Sequence, residues 1–172
     1  MIADNFSSSS HPLVPPTSED ERVSWLRLLR SRRVGIATFY RLLSEFGSAE
    51  AALCALPDIA KNAGVEKYRP HAARDALFEL KPGKDLGATL LCRGDKNFPK
   101  PLEVLDDCPL MLWCKGNLDL LHGTKTALVG ARNASSLGTL MARAMSSALG
   151  EKGVVVVSGL ARGIDAAAHH AA

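Results

Sequence analysis

The chain has 172 residues, 47% of them hydrophobic, which is enough for one full domain and a small one. Its 21 basic and 18 acidic residues leave a formal charge of +3, too weak by itself to indicate nucleic-acid binding, so any anion site has to be local. Charged residues interrupt every apolar run well before the roughly 20 residues that cross a bilayer, and the N-terminus lacks the pattern of a secretion signal. We therefore expect a cytoplasmic protein with no membrane contact.

A leader and a helical domain are predicted first. Residues 1–17 hold four consecutive serines, several prolines and almost no apolar periodicity, a composition typical of disorder. A capping box of Ser18 and Glu21 predicts the start of a helix. Apolar residues at helical spacing over 39–46 predict a second helix that ends at Gly47.

Two more helices complete this domain, which we place at residues 18–80. Ser48 is expected to cap a third, short helix that Pro57 closes, with a further turn up to Gly64. A fourth helix is predicted over residues 69–80, and Lys81-Pro82-Gly83-Lys84 breaks the helical pattern.

Short apolar runs follow this break and predict strands at residues 88–92, 110–114, 126–129 and 154–157. Between the last two, paired apolar residues over 140–149 predict a helix. Two continuously apolar strands joined by a helix are expected to be parallel and covered on both faces. This predicts an α/β fold with the core of a doubly wound sheet.

Four cysteines form no CxxC pair, and each lies within an apolar run: Cys54, Cys92, Cys108 and Cys114. Metal ligation and disulfides are therefore disfavoured, and we expect four buried, reduced thiols.

The loop after the third predicted strand has the residues of an anion site. Loops beyond the carboxyl ends of parallel strands lead into helix N-termini, where backbone N–H groups favour anions. In this loop Gly130 lets the backbone approach a ligand, and Arg132 offers a planar guanidinium that matches phosphate oxygens. Ser135 or Ser136 is expected to cap the helix that follows.

The loop after the fourth strand repeats this pattern. Ser158 and Gly159 begin a turn, Arg162 brings a second positive charge, Gly163 permits a tight backbone, and Asp165 is expected to cap the next helix. Two strands thus deliver an arginine and glycines to one edge of the sheet. Such a pair fits successive phosphates of a backbone or the phosphates of one nucleotide.

Plain turn chemistry needs many of the same residues, and residue patterns alone leave this alternative open. Neither GxGxxG nor GxxxxGK[ST] occurs, so a dinucleotide or P-loop ATP site is disfavoured and no cofactor is predicted. The adjacent His169 and His170 point in different directions on a helix, which favours capping or packing over metal binding. No catalytic triad or carboxylate pair can be assembled, and Asp106-Asp107 fits a solvated turn.

The two loops, Gly130-Ala131-Arg132 and residues 158–165, together with Ala167-Ala168-His169, resemble the DNA processing protein A family (DprA, also called Smf). Upstream, Gly94-Asp95 with Phe98-Pro99, and then Pro109 to Asn117, resemble the lead-in to that family's Rossmann-like domain. The helical part resembles the sterile-alpha-motif-like or helix-hairpin-helix-like domain of many members, with Val34-Gly35-Ile36-Ala37 at the hairpin. Ala37 stands where a strict hairpin has a second glycine, so packing or interaction is the simpler role of this domain.

The resemblance implies a Rossmann-like domain over residues 81–172 and a protein that is not an enzyme. Such a protein binds and protects single-stranded DNA in natural transformation, loads the RecA recombinase, and forms a homodimer at full length. Carried over, binding roles fall on Gly130, Arg132, Ser158, Gly159, Arg162, Gly163 and Asp165. The arginines would contact phosphates. Ala131 replaces the usual serine of the first loop and removes one hydroxyl donor.

Because the chain stops inside a predicted helix, we expect only part of the sheet, with an apolar face uncovered and poor solubility. The main rival function is a Rossmann-like nucleotide phosphoribohydrolase of the lysine-decarboxylase-like group. Its Pro-Gly-Gly-rich loop and catalytic glutamate are absent from these residues. A pure protein-interaction module is a third possibility, which leaves both loops unexplained.

Overall fold

The computed structural model describes residues 14–172. The leader predicted at residues 1–17 therefore lies, except for its last four residues, outside the described part. The chain divides into two compact units, one ending at Gly116 and the other running from Asn117 to Ala172.

The first unit contains five helices and a pair of strands: α1 (Glu19–Arg30), α2 (Ile36–Phe46), α3 (Ala49–Asn62), α4 (Ala73–Asp85), β1 (Thr89–Cys92), α5 (Lys100–Glu103) and β2 (Met111–Cys114). The second unit contains a 3₁₀ turn (Leu118–His122), β3 (Lys125–Ala127), α6 (Ser136–Glu151), β4 (Val155–Val157) and α7 (Ile164–His169). All four predicted strands are present, with ends shifted by one or two residues. The predicted α/β class with a helical N-terminal part is confirmed.

Helix caps explain where the first helices begin and end. Ser18 caps α1, and its capping box with Glu21 is complete, as predicted. Ser48 caps α3 by accepting a hydrogen bond from the backbone N–H of Ala51 at 3.1 Å. Gly47 ends α2 at φ +77, a left-handed conformation that glycine adopts without steric cost.

Two predicted helix ends are wrong. Pro57 does not close α3, which continues to Asn62. A proline removes only one intrahelical hydrogen bond, and Leu56 and Ile59 on either side of it pack in the core, which favours a continuous helix. Likewise α4 passes through the predicted break at 81–84 and ends at Asp85.

The start of α4 also lies later than predicted, at Ala73 instead of residue 69. The backbone before it is held by the end of α1. The His71 N–H donates to Ser31 Oγ at 3.0 Å, and the His71 carbonyl accepts from Arg27 Nε at 3.0 Å. A helix that started at residue 69 would use the His71 carbonyl for an intrahelical bond, but this carbonyl already accepts from Arg27, which favours the later start.

One aromatic pair lies at the centre of the first unit. The rings of Trp25 and Phe39 pack edge to face with centroids 5.1 Å apart. Cys92 of β1 and Leu110 just before β2 belong to the same buried cluster as these helical residues. The compact unit consequently extends to Gly116, beyond the boundary predicted at residue 80, and the division into domains at 80/81 stays a prediction.

The strands form two separate two-stranded sheets within the described residues. β1 and β2 are antiparallel, whereas β3 and β4 are parallel and aligned with Lys125 opposite Val155. The parallel pairing joined by α6 is the one that the sequence predicted. The expected cover on both faces is wrong, because Ala127 of β3 and Val157 of β4 are exposed.

The prediction of four buried thiols is wrong for Cys54, which is exposed, and Cys114 is only half-buried. Cys54 lies on α3 between residues that face the core, so its own side chain is directed away from them. Cys92 and Cys108 are buried as expected. Burial raises the pKa of the Cys92 thiol to about 12, so this thiol is protonated at neutral pH.

The second unit leaves apolar side chains exposed, as the sequence predicted. Four of them form a stripe along α6 at helical spacing: Leu137, Leu140, Met141 and Met145. No helix in residues 14–172 is long and apolar enough to span a membrane.

The packing of Trp113 against Gly83, within the predicted break of α4, can be tested by substitution. A Cβ at this position would lie 2.6 Å from ring atoms of Trp113. Alanine is favoured over glycine in a helix by about 1 kcal/mol, but overpacking costs about 1 to 3 kcal/mol. We expect Gly83→Ala to destabilise the native chain and to stabilise the Trp113→Ala variant, as measured by urea unfolding of all four proteins. Equal effects in both backgrounds would contradict this contact.

Candidate anion-binding site

The two loops begin at the same edge of the parallel β3–β4 pair. The Leu128 N–H donates to the Val157 carbonyl at 3.0 Å, extending the ladder beyond the assigned strands. One residue later, Ser158 Oγ donates to the Leu128 carbonyl at 2.6 Å. The predicted convergence of the loops at one sheet edge is therefore present. We call residues 128–135 the first loop and residues 158–163 the second loop.

Gly163 brings the two loops into direct backbone contact. Its φ of +87 lies in a region that side chains disfavour, and a Cβ there would approach the Ala131 carbonyl oxygen to 2.2 Å. The next residue, Ile164, donates its N–H to that same oxygen at 3.2 Å. Only glycine fits this position, whether or not a ligand is present.

Gly130 has a matching role in the first loop. A Cβ at this residue would lie 2.6 Å from the side chain of Ile164. The absence of a side chain at Gly130 thus makes room for the first residue of α7. Ile164 was missed in the sequence, because its partner is 34 residues away and no local pattern marks it.

Asp165 holds the second loop closed. Its side chain is buried, and Oδ2 accepts a hydrogen bond from the backbone N–H of Gly159 at 3.1 Å. The expectation that Asp165 caps α7 is wrong, because α7 begins at Ile164 with Gly163 as its N-cap and no side-chain cap. The carboxylate instead reaches back across the turn.

The start of α6 follows the sequence more closely. Of the two serines expected to cap it, Ser135 is the N-cap, and its Oγ accepts from the Gly138 N–H at 3.1 Å. This cap fixes where the first loop ends.

Arg132 and Arg162 are both exposed, one on each loop. Neither forms an ion pair with any residue in the described part of the chain. Their guanidinium groups are therefore available to an external anion while the backbone beneath them is fixed by contacts between the loops.

Ser158 and His169 form a second internal link. The Ser158 hydroxyl donates to the Leu128 carbonyl. The Ser158 carbonyl in turn accepts a hydrogen bond from His169 Nε2 at 3.2 Å. His169 thus packs against the loop, whereas His170 is exposed at the end of α7. Residues 14–172 contain no group of three or more His, Cys, Asp or Glu side chains placed to hold a metal ion.

Leu160 is a feature of the second loop that the sequence did not reveal. It has φ +54 and an exposed fraction of 76%. A left-handed conformation costs a non-glycine residue about 1 to 2 kcal/mol. The two residues before Leu160 are held by hydrogen bonds, Ser158 to the Leu128 carbonyl and Gly159 to Asp165.

We expect Gly163→Ala to lower the free energy of unfolding by roughly 3 kcal/mol, because it combines an unfavourable φ with a clash against backbone atoms. Gly153→Ala is the matched control. Gly153 also has positive φ, at +70, but no atom lies within 4 Å of its added Cβ, so a loss of only about 1 kcal/mol is expected. Equal losses in urea unfolding would show that the loop contact contributes nothing.

Two family sequence models match the chain. One, described as DprA-like N-terminal HHH domain, matches residues 19–81. The other, described as DNA recombination-mediator protein A, matches residues 89–172. The second match includes both loops.

Individual proteins give the same result. DNA processing protein DprA from Streptococcus pneumoniae is 46% identical over 78 residues, which cover 45% of this chain and 27% of that protein. The Bacillus subtilis DprA is 32% identical over 108 residues, 62% of this chain and 35% of that protein. The X-ray structure of the S. pneumoniae protein aligns with a TM-score of 0.56 and 30% identity, covering 90% of this chain and 53% of that one. In the sequence alignments the chain covers only 27% of the length of the first relative and 35% of the second.

Proposed function

The chain belongs to the DNA processing protein A family, and on that basis we propose that its second unit binds single-stranded DNA through the first and second loops. The observation that carries this proposal is the pair of exposed arginines, Arg132 and Arg162, on loops whose backbones are locked together. A strand of DNA offers a phosphate at every nucleotide, and guanidinium groups match phosphate oxygens in geometry and charge.

The seven residues predicted to bind DNA take different parts in this proposal. Arg132 and Arg162 contact phosphates directly. The other five give the loops their shape, because the atoms nearest to them belong to the two loops themselves or to the start of α7: Gly130, Ser158, Gly159, Gly163 and Asp165. The Gly159 N–H is already bonded to Asp165, and the Ser158 proton is already donated, so neither is a free donor for a ligand.

The activity of the whole protein is a wider proposal, because this chain spans only part of its relatives. We propose that it protects single-stranded DNA during natural transformation, assists the loading of the RecA recombinase, and acts in the cytoplasm as a homodimer. These roles come from the family resemblance. In the same way, we propose that the protein is a recombination mediator and not an enzyme.

The arginines can be tested by fluorescence anisotropy with a labelled oligothymidine over a series of salt concentrations. Each single-strand phosphate contact contributes about 0.7 to the slope of log K against log salt. We expect Arg132→Ala and Arg162→Ala each to weaken binding and to reduce the slope by about that amount for each phosphate that the variant no longer binds. Arg143→Ala, which removes an exposed arginine of α6 in the same unit, is the matched control and should change less.

A duplex of the same length should compete poorly with the labelled strand. Binding that is independent of salt, or equal losses for Arg143→Ala and Arg132→Ala, would overturn the assignment to these loops. Release of ribose phosphate from a nucleoside monophosphate would instead support the phosphoribohydrolase alternative.

A further inference from the structure

A small cleft in the first unit has the chemistry of a second nucleic-acid contact. It has a volume of about 180 Å³ and lies beside the turn between α1 and α2. Its apolar lining includes Leu42, Leu56 and Ile59, and Tyr68 contributes its half-buried side chain. Ligand pockets for drug-sized molecules usually measure about 300 to 1,000 Å³, so this cleft suits one planar group and not a whole small molecule.

All the charged residues that line the cleft are arginines: Arg32, Arg33 and Arg41. None of them forms an ion pair within residues 14–172. Elsewhere in the same unit Arg30 is paired with Glu79 and Lys84 with Glu19. Three uncompensated arginines around an apolar lining create a local positive field in a chain whose net charge is only +3.

Hydrogen bonds fix the backbone that presents these arginines. The Tyr68 hydroxyl donates to the Arg32 carbonyl at 2.7 Å, and Ser31 accepts from the His71 N–H at 3.0 Å. Arg33 is held at φ +66, a conformation that glycine would adopt more easily. The turn is therefore tied to the segment before α4 at two points, so the backbone that presents Arg32 and Arg33 is ordered before any ligand arrives.

The cleft combines its three arginines with an apolar lining. A ligand that fits it carries repeated negative charge and planar, largely apolar groups that are free to enter the cleft. Proteins that bind single strands combine a positive groove for the phosphates with an aromatic side chain for a base. A duplex keeps its bases stacked and paired, so it offers no free base for the cleft. An acidic polypeptide would match the arginines, but it brings a planar group to Tyr68 only where an aromatic residue stands among its carboxylates, whereas every nucleotide carries both a phosphate and a base.

We propose that this cleft is a second contact for single-stranded DNA, in which one base enters beside Tyr68 while flanking phosphates bind Arg32, Arg33 and Arg41. The contact uses side chains and not the backbone of the Val34-Gly35-Ile36-Ala37 hairpin, so alanine at position 37 does not affect it. It lies entirely in the first unit and does not depend on Arg132 or Arg162.

The test compares variants of the full chain in the same anisotropy assay. Exposed charge pairs contribute up to about 1 kcal/mol, so Arg33→Gly and Arg41→Ala should each weaken single-strand binding roughly two- to fivefold. The salt slope should fall by about 0.7 for each phosphate that the variant no longer binds. Arg74→Ala removes a highly exposed arginine of α4, outside the cleft, and should leave affinity unchanged.

The Arg33→Gly variant distinguishes an effect on stability from an effect on DNA binding. Glycine accepts the positive φ that arginine holds there, so Arg33→Gly should unfold at the same or a higher temperature while it binds more weakly. A lower melting temperature with weaker binding would attribute the loss to folding, and Arg41→Ala would then decide the question. Unchanged affinity and salt slope in the Arg32→Ala, Arg33→Gly, Arg41→Ala triple variant would overturn the proposal.

Photo-crosslinking tests the base contact directly. A strand that contains 5-iodouracil should give adducts on the peptide that includes Tyr68. Tyr68→Phe keeps the ring and should keep this adduct, whereas Tyr68→Ala should lose it. Adducts confined to peptides of the second unit would overturn the assignment of a base to the cleft.

The two proposals can fail independently. If the Arg33 and Arg41 variants lose affinity and the Arg132 and Arg162 variants do not, the result supports the cleft and contradicts the proposed loop site.

Discussion

The relative position of the two loops in the second unit depends on one atom, the carbonyl oxygen of Ala131. It accepts the N–H of Ile164, and it occupies the place where a side chain at position 163 would project. Two loops from different strands can approach this closely only because Gly163 has no Cβ. Their relative position is then set by backbone atoms, which have fewer alternative arrangements than side chains.

This constraint divides the site into a scaffold and a binding surface. Ser158, Gly159 and Asp165 direct their hydrogen bonds inward, to Leu128 and to one another. With the loop backbone bonded internally, ordering it on ligand binding adds little entropic cost. In the proposed interaction the exposed Arg132 and Arg162 contact the phosphates, and their own side-chain freedom is the main entropy that binding would remove.

Local signals gave correct predictions where local chemistry decides the structure. Ser18 and Ser48 begin helices because a hydroxyl can accept a hydrogen bond from an early helical N–H, and Gly47 ends one because it tolerates positive φ. Pro57 and Gly83 misled, since contacts with residues distant in sequence outweigh their helix-breaking tendency. No pattern in the sequence indicates that Trp113 packs on Gly83, whereas the apolar spacing of Leu53, Leu56 and Ile59 continues across Pro57 and does indicate a longer helix.

At the candidate site the same distinction holds. The sequence identified the glycines because they permit tight turns, the arginines because they can bind phosphate, and Asp165 because it can accept backbone hydrogen bonds. It did not identify their partners. Asp165 was expected to cap a helix but bonds to Gly159, and Gly130, whose approach to a ligand stays a prediction, also leaves room for Ile164. The same residues that suggest an anion-binding site are therefore also the residues that two loops need in order to pack against each other.

The short helix α7 shows why these internal contacts are needed. Six residues are too few for a stable isolated helix, since its first turn fixes several dihedrals for one hydrogen bond. α7 is anchored near its start by Asp165 and toward its end by the buried hydroxyl of Ser146, which donates to the Ala168 carbonyl at 2.6 Å. The small side chains of Ala142 and Ala168, both buried, allow α6 and α7 to lie close together. Because α7 begins directly after the second loop, its packing on α6 also determines where that loop, and Arg162 with it, is held.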